Sequence, residues 1–172
     1  MKDSEEAEKA ITKQLYTEYK TTRSHLIDEI IVSNKGIPPL KAIRLAQTIL
    51  DRVLFVAFAE DKGLLKKETL KEAFHTKNIY SPQPAWENFK GLFRAIDSGN
   101  KQLNIPGYNG GLFKEDDDIN KLVISEEMCQ KFVNIGEYDY DSEVSVNILG
   151  HIFEQSISDI EEIKNQLNNA EG

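Results

Sequence analysis

Cysteine, tryptophan and histidine are scarce in this 172-residue chain, which has one, one and three of them respectively. Cys129 has no second cysteine to pair with, so an intramolecular disulfide is excluded, and its amphipathic surroundings mark it as a small core residue rather than a reactive thiol. His25, His75 and His151 lie far apart, and none has a cysteine or second histidine at ligand spacing, so no metal centre is expected. No apolar run approaches the roughly 18 residues that a bilayer crossing needs. The amino-terminal MKDSEE lacks the apolar stretch of a signal peptide, and the expectation is a cytoplasmic protein with no membrane partner. Period-two alternation is also missing, which leaves room only for short pairings within residues 100–124.

What is present is an ordinary globular balance: 40% apolar and 29% charged residues, enough for one domain over residues 1–172. The net charge of −8 is unevenly spread. Residues 1–100 hold 16 Lys and Arg against 14 Asp and Glu, whereas residues 101–172 hold 5 against 15. Phosphate contact depends on neutralisation by Lys and Arg, so any nucleic acid would meet the first part of the chain and be repelled by the second.

Apolar residues at three- and four-residue spacing predict an all-α protein of about six to seven helices in an irregular bundle. Residues 4–34 read as one amphipathic helix or two abutting ones, closed by Gly36 and Pro38. A second helix starts at Pro39, becomes apolar nearly all round at Phe55, Val56 and Ala59, and ends at Gly63, beyond which Leu64 and Leu65 fold back onto the core. Arg44, Asp51 and Arg52 read as solvated charges on its polar side. A short helix over 68–76 and one opening at Pro84, with Trp86, Phe89, Leu92, Phe93 and Ile96 on its apolar face, follow. After a long glycine-containing loop near 100–124, Ser125 caps a further helix. The last helix carries Val144, Ile148, Leu149, Ile152, Phe153 and Ile157, and residues 159–172 read as a frayed tail.

The candidate chemistry is thin. Asp116, Asp118, Asn120 and Glu127 fall at positions one, three, five and twelve of a calcium loop, but position six needs glycine and is Lys121, so a solvated acidic loop is expected instead. Gly107, Gly110 and Gly111 lack the Gly-Lys-Ser/Thr of a phosphate loop; the pair Gly110 and Gly111 fits positive backbone dihedrals that turn Leu112 and Phe113 inward. Asp139, Asp141 and Glu143 suit an exposed helix amino terminus, and His151, beside the last apolar face, reads as a partly buried hydrogen-bonded histidine. Lys13, Lys20, Arg23, Lys35, Lys41 and Arg44 are the candidates for a basic strip that touches DNA backbone, set against a salt-laced surface with Glu18, Asp28 and Glu29.

Three segments in order resemble one family: residues 45–65 (LAQTILDRVLFVAFAEDKGLL), 108–113 (Tyr108, Asn109, Gly110, Gly111, Leu112, Phe113) and 148–156 (ILGHIFEQS). They are similar to the helical region that precedes the methyltransferase domain in single-chain type II restriction-modification enzymes and related phage-exclusion adenine DNA methyltransferases. The resemblance implies a fragment of a larger multidomain protein. Its partners would be the nuclease and methyltransferase domains of the same parent chain, with DNA reached through that parent. S-adenosylmethionine and Mg are implied for the parent only; the nuclease residues, the glycine-rich cofactor motif and the Asn-Pro-Pro-Tyr motif of the family have no counterpart here. The expectation is a non-catalytic helical scaffold with no catalytic, cofactor or metal residue of its own. The alternatives are an independent DNA-backbone-binding module or a protein-interaction helical adaptor.

Overall fold

Helices at three- and four-residue apolar spacing dominate the computed structural model, which describes residues 2–108, 110–138, 140 and 146–171. Among them are seven α-helices: α1 (Lys2–Ser33), α2 (Pro39–Asp61), α3 (Thr69–His75), α4 (Ala85–Ser98), α5 (Asp117–Asn120), α6 (Glu126–Gly136) and α7 (Val146–Glu171). The only pairing of strand type among the described residues is the isolated bridge between Asn100 and Ile105. None of these helices is long and apolar enough to cross a membrane.

α1 is one continuous helix whose Leu15, Tyr19, Leu26 and Ile30 are fully buried, the spacing that one helical face requires. It stops where Gly36 takes a φ of 81°, and α2 begins with Pro39 at its first position, where the missing N–H would have had no partner anyway. α2 is the central element. It buries residues on every side, from Ala42 to Glu60, and packs against α1, α3, α5 and α6. Burying each large aliphatic side chain contributes about 1.5–3 kcal/mol, so this helix holds much of the core's driving force. Its end is closed by Gly63 at φ 76°, with the amides of Leu64 and Leu65 both bonded to the Ala59 carbonyl. That geometry turns Leu65 into the core and leaves Leu64 half exposed, so only one of the two leucines folds back.

α4 presents Trp86, Phe89, Phe93 and Ile96 to the interior, and the indole Nε1 of Trp86 donates to the Leu122 carbonyl at 3.0 Å. Phe132 of α6 completes an aromatic group with Trp86 and Phe89 at centroid distances of 6.5 and 5.8 Å. Ser125 caps α6, its Oγ accepting from the Met128 amide at 3.2 Å. Cys129 is fully buried among these residues. α7 remains helical to Glu171, where the polar composition predicts fraying from 159; it packs against α1, and Leu149 and Ile152 on it are buried.

Candidate functional site

The glycine loop is built around one buried cation. Ile105 and Asn100 exchange backbone bonds of 2.7 and 2.9 Å, and the amide of Tyr108 donates to the Ile96 carbonyl at 2.9 Å, so the loop is folded back along the end of α4. This return brings backbone against backbone: a Cβ at Gly99 would lie 2.9 Å from the Gly107 nitrogen. From α2, Arg52 then donates through Nε to the Leu112 carbonyl and through Nη2 to the Lys114 carbonyl, both at 2.8 Å. Its guanidinium sits 5.3 Å from the centre of the Phe93 ring and 5.8 Å from that of Phe113. Burial pulls that guanidinium below its ordinary pKa range, and Asp116 and Asp97 oppose the shift.

Arg52 is 3% exposed, so the expectation of a solvated surface charge is corrected. Its position is polar by periodicity, but the loop lies over it and supplies carbonyl partners. Around it Phe55 stacks edge-on against Tyr108 and Phe113 at 5.5 and 5.3 Å. Gly111 has the positive φ expected of it, 87°, and Phe113 is buried with Leu112 packed against the core. Gly110 is not among the glycines of positive φ, and Asn109 lies outside the described residues.

The six basic candidates do not form one strip. Lys13, Lys20 and Lys35 are exposed. Arg23 is 2% exposed, with its guanidinium 6.0 Å from the Tyr19 ring centre and near enough to Asp51 to act on that carboxyl, so its assignment to a DNA-facing surface is corrected. It lies on the same helical face as Tyr19 and Leu26, one turn from each, which carries it inward. Lys41 pairs with Asp118 at 3.1 Å, and Arg44 pairs with Asp116 at 3.1 Å and Asp118 at 3.5 Å. The same contacts occupy Asp116 and Asp118 of the calcium-like spacing. Asp116 also caps α5 by accepting from the amides of Asp118 and Ile119. Partial burial works to raise the Asp116 carboxyl, but the Arg44 bond and those amides outweigh it and hold the group below its usual range. No group of metal-ligating side chains occurs among the described residues.

A second buried site lies at the carboxyl end of α2. Glu60 is 5% exposed and accepts a 2.7 Å bond from the Leu70 amide at the start of α3. Burial pushes its carboxyl up to about 7, and the nearby charges of Asp61 and Glu68 add to the effect. Asp61 accepts from the Tyr140 amide at 2.8 Å. The Tyr140 hydroxyl, fully buried, donates to the Ile135 carbonyl and is raised well above its ordinary range by burial. Halfway along α2, Asp51 accepts from Tyr19 and Gln47 at 2.9 and 2.7 Å, and burial raises its carboxyl. For Asp51 and Glu60 the sequence signal beyond the 45–65 segment is a charge inside a nearly all-apolar helix.

The remaining candidates stand apart. His25, exposed, accepts from Lys131 at 2.6 Å, and His75 is exposed beside the Phe74 ring. His151 is exposed too, which corrects its reading as a partly buried histidine: its place on α7 is turned away from the buried Leu149 and Ile152. Asp139, Asp141 and Glu143 lie outside the described residues. Two concavities flank α3. A cavity of about 310 Å³ is lined by Glu60, Asp61, Lys67, Glu68, Lys71 and Glu137, among others. A groove of about 580 Å³ runs between α3, α4 and the 100–105 turn, with an apolar floor that includes Ala73, Leu92, Ala95 and Ile105. No protein family, curated protein or solved structure matches the chain.

Proposed function

We propose that the chain is a non-catalytic helical scaffold, the connector of an adenine DNA methyltransferase or restriction-modification protein, in which it positions nuclease and methyltransferase modules. S-adenosylmethionine and Mg would then act in those modules and not on this chain. The observation that supports this reading most directly is the fate of the conspicuous polar groups in its family-like segments. Arg52 is spent on the carbonyls of Leu112 and Lys114, and Glu60 on the amide of Leu70. Exposed apolar side chains also gather at one end of the bundle, with Ile31 and Val32 closing α1, Leu40 opening α2, and Val123 held to Asn34 by bonds of 3.2 and 2.8 Å. Such a cluster suits docking against a neighbouring module.

The test is methyl transfer. Purified chain incubated with DNA and labelled S-adenosylmethionine should incorporate no label, and with Mg it should leave the DNA uncut; incorporation or cleavage overturns the scaffold reading. The second reading, a DNA-backbone-binding module, is favoured by the exposure of Lys13, Lys20 and Lys35. A low-salt gel shift abolished by Lys13→Glu plus Lys20→Glu would support it, since phosphate contact depends on such charges.

A further inference from the structure

Residues 77–84 join α3 to α4 and are exposed throughout, yet they carry two large apolar side chains, Ile79 at 80% and Tyr80 at 91% exposure. Neither side chain folds back onto the molecule. The backbone beneath them is braced, since Asn78 Oδ1 accepts from the amides of Tyr80 and Ser81 at 3.0 and 3.3 Å, and Pro82 and Pro84 restrict the return to α4. The groove between α3, α4 and the 100–105 turn starts where this segment leaves and returns, with Thr76 on one wall and Glu87 and Asn88 on the other. Asn88 Nδ2 donates to the Ala73 and Thr76 carbonyls at 2.9 and 2.8 Å, which fixes the two walls to each other, so the groove is preformed. Its floor is apolar, through Ala73, Leu92, Ala95 and Ile105, while Gln102 and Asn104 line it with amides. That combination suits a phenol next to an aliphatic side chain, with the ring and methyls on the floor and the hydroxyl bonded to an amide.

We propose that this groove receives Ile79 and Tyr80 of a second copy of the chain, so that two copies pair by exchanging these side chains. The chain itself presents the aliphatic and phenolic pair that the groove fits. Because the segment lies at the end of its own groove, a two-fold axis there lets both contacts form at once, and such a closed arrangement stops at two copies. The charges agree with this pairing. In the groove Lys66 and Glu72 bond to each other at 3.1 Å, which leaves Glu87, its side chain 42% exposed, as the surplus charge even though Lys90 approaches it at 2.7 Å. Lys77 is the one charged residue of 77–84, and it meets Glu87 of the other copy. A buried tyrosine at the centre of each contact is the kind of anchor that carries most of the energy of protein interfaces. The pairing does not depend on the connector reading, since both surfaces belong to this chain.

Light scattering of the intact chain, from about 1 μM to about 1 mM, covers the affinities of modest protein contacts. The mass should rise from one copy to two and no further, and the methyl resonances of Leu92 and Ile105 should shift along the same concentration curve. Ile79→Ser plus Tyr80→Ser, both at exposed positions, should weaken pairing by at least about tenfold, the effect of losing an anchoring side chain. Ala95→Gln, which fills the floor of the groove, should do the same. A mixture of the two variants regains one of the two contacts, so it should pair more tightly than either variant alone. The proposal is overturned if the chain stays monomeric at about 1 mM. It is equally overturned if the double serine variant pairs as well as the wild type, if the mass rises while the groove methyls stay still, or if the folded variants gain nothing on mixing.

Discussion

Arg52 holds the backbone of Leu112, sixty residues further along, in a bond of 2.8 Å, and it does so from inside the core. The guanidinium lies beside the Phe93 and Phe113 rings and gives its donors to carbonyls that no helix or sheet satisfies. The 108–113 loop and α2 are thus parts of one joint.

Replacing Arg52 with methionine should remove both bonds and leave the Leu112 and Lys114 carbonyls without their partners. The expected loss is about 1.5–3 kcal/mol, because hydrogen bonds to charged groups contribute more than neutral ones. Arg52→Lys should recover only part of it, since an ammonium cannot reproduce the planar fork. A lower urea midpoint with an unchanged slope would confirm the effect; an unchanged midpoint would refute it.

Two glycines should respond oppositely to alanine. At Gly99 the backbone has φ 84° and ψ 155°, a region essentially closed to other residues, and the added Cβ would stand 2.9 Å from the Gly107 nitrogen. Gly99→Ala should cost about 1–3 kcal/mol from the backbone alone. Gly150 sits exposed within α7 with nothing near its missing Cβ, so Gly150→Ala should gain about 0.5–1 kcal/mol. Thermal midpoints that move in the same direction would contradict this account.

Cys129 should be inert in the folded protein. Burial pushes its thiol up to about 12, and the charges of Glu126 and Glu29 add to the shift. The thiolate is the reactive species, so Ellman's reagent at pH 8 should report almost no thiol until urea unfolds the chain. Prompt stoichiometric reaction of native protein would show that the core around Cys129 opens readily.

Much of the architecture was legible because the signals that set it are local. Pro39, Gly63, Ser125 and the apolar stripe from Trp86 to Ile96 act within a turn or two of themselves, and each element begins or ends where they predict. The burial of Arg52 and Glu60 was not legible for the opposite reason. Periodicity assigns Arg52 outward from its own helix alone, whereas its burial depends on a loop that arrives from elsewhere in the chain; Arg23 shares the buried face of Tyr19 and Leu26, so its inward place was there to be read. Glu60 is the clearest case, since the amide that accommodates it belongs to Leu70 across a turn with two left-handed residues. α7 runs as helix to Glu171, and polar composition speaks to burial rather than to whether a helix continues.

The clamp on the end of α1 bears on how the chain is made. Asn34 closes on the backbone of Val123, and Glu29 receives both the amide and the hydroxyl of Ser125, partners 89 and 96 positions later. While the chain is still emerging from the ribosome, α1 and α2 can meet, but the polar end of α1 has only water to bond until residue 125 appears. The first helical pair therefore waits, incompletely fastened, until residues 123–125 have been synthesised, and the segment before α6 is what secures it.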